Sequence, residues 1–242
     1  MKRTVLIYAI TVLVASAVLV CAAIGFGVLT PPRAIDTSGS TLRYTTVIID
    51  AGHGGEDGGT SSKSGLIEKN INLELALLLK EKLEAQGVSV VLTREDDRLL
   101  YDRNADYQGR KKKLDMEARL NTISNTENCI LISLHMNAFS DPRYSGLQVW
   151  YSDNNPESQS LASGIQNTVA QNLQPQNNRK IKSAGTSIYL LKQSSCPAVL
   201  VECGFLSNIE EAKLFEDTSY KSSLCENICA GIVNFLSTPS QG

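Results

Sequence analysis

Histidine and tryptophan are scarce: the 242-residue chain has two of the first and one of the second. Any metal site must therefore draw on His53, His135, carboxylates or thiols. Neither charge dominates, with 23 Lys and Arg against 25 Asp and Glu and a net charge of −2. That balance excludes the basic face a nucleic-acid binder needs. No His-Glu-x-x-His helix occurs, so the chain is not a zincin protease. No Cys-x-x-Cys pair occurs either. Cys129, Cys196, Cys203, Cys225 and Cys229 follow the first apolar run, an odd set, and Cys225 and Cys229 lie four apart on a predicted helix, where disulfide geometry is poor. This argues against a disulfide framework and suits a reducing niche outside the cytoplasm. Repeats are absent. With 42% hydrophobic and 20% charged residues, the composition is that of one globular domain rather than a disordered chain.

What is present begins at the amino terminus. Lys2 and Arg3 precede an apolar run from Val5 to Leu29, interrupted only by Thr11 and Ser16. At about 1.5 Å per residue it is long enough to cross a hydrocarbon core of about 30 Å, and longer than the 7–15 or so apolar residues of a secretory signal. Residues 1–29 are therefore predicted to be a membrane anchor. Cleavage near Ala15-Ser16-Ala17, giving a secreted protein, is the alternative. The basic start stays in the cytoplasm, so everything after Leu29 faces outward. The Pro-, Ser- and Thr-rich residues 30–43 read as a linker, 44–237 as the folded domain and 238–242 as a tail.

Within the domain, strand and helix patterns alternate. Strands are predicted at Thr45–Asp50, Val88–Thr93, Cys129–Leu134, Leu147–Tyr151, Ser187–Leu191 and Ala198–Glu202. Helices are predicted at Glu68–Gln86, Lys111–Asn125, Pro156–Leu173 and from about Tyr220 to Leu236. This order implies an α/β domain: a twisted, mostly parallel or mixed sheet of about six strands with helices on both faces.

Sites in open α/β sheets form at the carboxyl ends of strands, and four segments place unusual polar residues there. Asp50-Ala51-Gly52-His53-Gly54-Gly55 runs from a strand into a Gly-rich turn. Glu68 opens a helix. Ser133-Leu134-His135-Met136-Asn137-Ala138 puts His135 past a buried strand. Glu202-Cys203-Gly204-Phe205-Leu206-Ser207-Asn208 puts Glu202 at the end of an apolar strand, where an ionisable group is costly without a partner. Each has a plain reading alone: a hydrogen-bonded surface histidine, or a first-turn carboxylate on the helix dipole. The Gly-rich turn lacks the Lys-Ser/Thr of a phosphate loop. Together, two histidines and one carboxylate are a catalytic zinc set with a fourth position for water. Zinc there acidifies water and polarises a scissile carbonyl, and a second carboxylate off the metal can shuttle the proton.

These segments, with Thr93-Arg94, resemble the zinc-dependent N-acetylmuramoyl-L-alanine amidases of peptidoglycan, and the similarity runs from about Tyr44 to Leu236. Gly58 departs from the family pattern, which has Pro there, as does Ile123-Ser124, which replaces Ala-Asn. The resemblance implies one zinc ion held by His53, Glu68 and His135, with Glu202 as the catalytic carboxylate. It also implies cleavage of the amide between the lactyl group of N-acetylmuramic acid and L-alanine. A small anchored build without wall-binding repeats is similar to that of germination-specific, spore-cortex amidases, which implies a part in muramic-δ-lactam formation. Asn137, Arg179 and Lys182 are candidates for the substrate groove, beside Tyr144, Trp150 and Tyr151. The connections after His135 and Tyr151 are too short for a covering helix, so restraint is expected from a protein partner or from metal occupancy. A zinc peptidase cutting the stem peptide and a non-catalytic wall-binding protein are the competing readings.

Overall fold

The computed structural model describes residues 44–102, 104 and 108–238. The anchor and linker expected within residues 1–43, and residues 239–242 of the expected tail, lie outside them. Among the described residues no helix is long and apolar enough to cross a membrane.

Three strands, β1 (Thr46–Ala51), β3 (Cys129–Asn137) and β6 (Ala198–Phe205), carry near-continuous apolar runs. Such runs fit strands covered on both faces, and these three lie side by side, parallel, in the middle of the sheet. The remaining strands, β2 (Ser89–Leu92), β4 (Gln148–Tyr151) and β5 (Lys182–Ser183), complete the order β2-β1-β3-β6-β4-β5. β4 runs antiparallel to β6, and β5 is parallel to β4, so the sheet is mixed.

Helices cover both faces. On one, Ile48, Leu131 and Leu200 cluster with Ile123 of α2 (Lys111–Ser124) and with Leu190 and Leu191 of α4 (Tyr189–Gln193). The other is covered by α1 (Glu68–Ala85), α3 (Glu157–Asn172) and α6 (Thr218–Leu236), whose stripes Leu75, Leu79, Leu161, Ile165, Leu224 and Ile228 are fully buried. A one-and-a-half-turn helix, α5 (Ile209–Leu214), follows β6.

The strand predicted at Ser187–Leu191 is not one. Tyr189–Gln193 is helical, and the edge strand is Lys182–Ser183. A short apolar run does not distinguish the two states. Here adjacent Leu190 and Leu191 both reach the same core cluster, which a strand's alternation would have forbidden.

Candidate metal centre

Three segments deliver the cluster. Strand β1 ends at Ala51, and His53 follows on a turn with φ 62°, a conformation rare for non-glycine residues and frequent at functional sites. Glu68 is the first residue of α1 and is buried. His135 lies on β3, level with Glu202 on the neighbouring β6. One ligand atom from each of His53, Glu68 and His135 lies within 4.8 Å of the others. Glu68 Oε1 is 3.2 Å from His53 Nε2 and 3.0 Å from His135 Nδ1. Burial works to raise the Glu68 pKa, but its hydrogen bonds to the two histidines outweigh it and hold the carboxyl well below the usual range. Two imidazole nitrogens and a carboxylate oxygen are donors that fit zinc, with room for a fourth ligand. The cluster could hold a metal ion.

Backbone and glycine shape hold these groups. Met136 N and Thr60 N donate to the two Glu68 oxygens at 3.0 and 2.8 Å. A Cβ on Gly52 would stand 2.3 Å from the His135 ring, and one on Gly59 would stand 2.4 Å from Glu68 Oε2. Only glycine lets the loop pass so close to His135 and Glu68.

Beneath the His53 loop lie two buried guanidiniums. Arg119 donates to Ala51 O at 2.8 Å and to His53 O at 2.6 Å. Arg94 donates to Ala51 O, Gly52 O and Lys69 O at 2.8–3.0 Å. Asn72 reaches Gly52 O at 3.2 Å, and Lys69 reaches Gly55 O at 2.7 Å. Asp50 and Asp115 neutralise Arg119 at 2.6 and 2.9 Å. Burial favours protonation of Asp50, but Arg119 and the Ser133 hydroxyl lower its pKa to about 2. Asp57 Oδ2 lies 3.0 Å from His53 Nδ1, close although poorly aligned for a hydrogen bond.

Glu202 Oε2 is inaccessible and has no hydrogen-bond partner among the described residues. Burial, reinforced by Glu68 and opposed by the histidines, pushes the Glu202 pKa up to about 7. Next to it the register shifts, with Asn137 opposite Phe205. A bulge of this kind re-aims side chains. On the other side of Glu202, Gln148 of β4 is its register partner.

The groove candidates separate. Arg179 bonds Gln148 Oε1 at 3.2 Å and Ser145 O at 2.7 Å, and its guanidinium stacks 4.4 Å from the Phe205 ring. Asn137 ends β3, and its carbonyl accepts from Leu206 N at 2.9 Å. Lys182 lies on the edge strand over Trp150, two strands from Glu202. Sequence reasoning missed the supporting roles of Arg119, Asn72, Asp57 and Gln148. For Arg119 a signal existed: it falls on the same helical stripe as Ile123, where a charge needs a partner.

An α/β sheet with a His-Glu-His cluster and a second, partly buried carboxylate at its carboxyl edge is the architecture of a hydrolase able to use a metal. The chain matches the N-acetylmuramoyl-L-alanine amidase family over residues 47–234 and belongs to it; it is an amidase. It is 33% identical over 190 residues to the germination-specific N-acetylmuramoyl-L-alanine amidase of Bacillus subtilis, covering 78% of this chain and 79% of that one. Among solved structures, it is similar to the CwlD amidase of Clostridioides difficile, determined in complex with the GerS lipoprotein. The identity is 40% and the TM-score 0.75, over 80% of this chain and 98% of that chain. An N-acetylmuramoyl-L-alanine amidase from Clostridium difficile 630 superposes with TM-score 0.70 at 31% identity, over 83% of this chain and all of that one (100%).

Proposed function

We propose that the domain 44–237 is a zinc amidase that hydrolyses the bond between the lactyl carbonyl of N-acetylmuramic acid and the nitrogen of L-alanine. Its substrate is spore-cortex peptidoglycan, and its product is the peptide-free muramoyl group from which muramic-δ-lactam is made. The observation that carries this is Glu202, a partly buried carboxylate with one inaccessible, unpartnered oxygen, level with His135 of the His53–Glu68–His135 cluster.

His53, Glu68 and His135 would hold the zinc. When bound, the ion supplies Lewis acidity toward the carbonyl oxygen and the attacking water. Glu202, ionised, takes the proton of that water and returns it to the alanine nitrogen as the C–N bond breaks. A carboxyl whose pKa is raised toward neutrality suits both halves of that task, because it can both take a proton and give it back near neutral pH. Arg179, fixed beside Gln148, orients substrate through a carboxylate of the stem peptide. Asn137 and Lys182 extend the groove.

The domain acts outside the cytoplasm, tethered by residues 1–29. Control comes from a partner of the lipoprotein type. Two observations support this: the complex of the similar CwlD amidase with the GerS lipoprotein, and the lack of any covering helix in the connections 138–147 and 152–156.

The test is mass spectrometry of peptidoglycan digested by the purified full-length chain. Stem peptides with a free L-alanine amino terminus are expected; fragments in which L-alanine stays on muramic acid would overturn the assignment. Glu202→Gln is expected to keep its zinc and lose at least about a hundredfold in turnover.

A further inference from the structure

At the end of the sheet opposite the metal cluster, two cysteines that no part of the hydrolytic machinery uses come together. Parallel pairing places Leu131 of β3 level with Ala198 of β6, and Leu131 N donates to Pro197 O at 2.9 Å. Two residues earlier along each of these segments stand Cys129, in a core cluster, and Cys196, which packs against that cluster; both line the same cavity. Neighbouring strands lie about 4.8 Å apart, within the Cα separations a disulfide spans.

The two thiols are not equivalent. Cys129 is buried, its Sγ facing Ile123 O at 4.0 Å. Cys196 is partly exposed and lines a cavity of about 410 Å³ with Asn128, Asn155, Ser194 and Ser195. Ser194 Oγ is 3.1 Å from Cys196 Sγ. The neighbouring Cys129 thiol, helped by Ser194 and opposed by burial, lowers the Cys196 pKa below that of an ordinary thiol; the Cys196 thiol and burial raise that of Cys129. The other described cysteines are buried, with pKa values raised by desolvation: Cys225 to about 12, Cys229 to about 11, and Cys203 well above the ordinary thiol range.

We propose that Cys129 and Cys196 form an oxidisable dithiol, with Cys196 as the attacking thiol and Cys129 as the resolving one. The oxidant is a small-molecule disulfide small enough to enter the cavity. The Cys196 thiolate attacks one sulfur of that disulfide, forming a mixed disulfide and expelling one thiolate. Cys129 then gives up its proton and attacks Cys196 Sγ, breaking the mixed bond and expelling the second thiol. The protein loses two electrons and two protons, and the small disulfide becomes two thiols. The resulting bond ties β3 to β6 at their amino ends. It does not rest on the amidase reading, since none of these atoms lies in the hydrolytic site.

The test treats the reduced full-length chain with oxidised glutathione near neutral pH and maps each cysteine by mass spectrometry. The expected result is a linked Cys129–Cys196 peptide with no lasting glutathione on Cys196. Cys196 should react at least about tenfold faster than Cys203, Cys225 and Cys229, as thiolate content and access dictate. Cys129→Ser should trap glutathione on Cys196, and Cys196→Ser should leave Cys129 unmodified in the folded protein. The oxidised wild type should unfold at higher temperature, reversibly with dithiothreitol; this reading needs no variant. A stable adduct on wild-type Cys196 without linkage, or an unreactive Cys196, overturns the proposal.

Discussion

His53 and His135 reach the same cluster by different routes. His135 rides on β3, whose backbone is paired with strands on both sides. The ladder that makes the strand also fixes its imidazole. His53 stands on a turn in a left-handed conformation, where no ladder is available. Its loop carbonyls are gathered instead by Arg119, Arg94, Asn72 and Lys69. Two guanidiniums are taken out of water for this, a cost offset by Asp50 and Asp115 and by the carbonyls themselves. A ligand on a strand is positioned by the fold in general; a ligand on a loop needs a dedicated set of buried charges.

The most damaging way to break this comparison is to remove a ligand. His53→Ala and His135→Ala should each weaken zinc binding by well over about a hundredfold, read by competition with a chelator, because losing a group that merely orients a metal-binding side chain can already cost that much. Full zinc occupancy in either variant would remove that residue from the ligand set. Next comes Arg119→Met, which leaves Asp50 and Asp115 buried without their cation. It should cost about 3–5 kcal/mol of folding stability in denaturant unfolding, while Ser133→Ala on the strand side should cost about 1. Arg119→Lys sharpens the contrast: it keeps the charge, loses the fork to two carbonyls, and should lower zinc affinity about tenfold even where stability largely recovers. If Arg119→Lys binds zinc like the wild type, Arg119 is structural only.

The smaller effects concern protons and orientation. Asp50 has a folded pKa of about 2 against an ordinary 3.8. A depressed carboxyl contributes stability above its unfolded pKa and loses it as pH falls through the folded one. About 2 kcal/mol should thus disappear between about pH 4 and 2, and Asp50→Asn should flatten that part of the stability curve. Asp57→Asn, which alters the group beside the far nitrogen of His53, should weaken zinc binding by about tenfold or less; an unchanged affinity would make the contact incidental.

The strand side of this comparison was legible in sequence and the loop side only in part. Runs such as Cys129–Leu134 and Ala198–Glu202 announce buried strands, and His135 and Glu202 follow because polar residues ending such runs are conspicuous. His53 and Glu68 emerged from the glycine-rich turn and the helix start. Arg119 did not, because a charged residue inside a helix ordinarily faces water, and its partners Asp50 and His53 O are distant in sequence. The helix at Tyr189–Gln193 was misread for a related reason. Five residues are too few for a period to show, and their state is decided by the α2 side of the core.

The order of strands in the chain differs from their order in space. β6 is made last of the six yet sits between β3 and β4, and β4 and β5 touch the rest of the sheet only through it. A growing chain that has already presented His53, Glu68 and His135 still lacks the central plank against which half its sheet is laid. Competence therefore arrives late in synthesis and nearly all at once. A product that stops before Ala198 carries His53, Glu68 and His135 but lacks both Glu202 and the strand that joins β4 and β5 to the sheet.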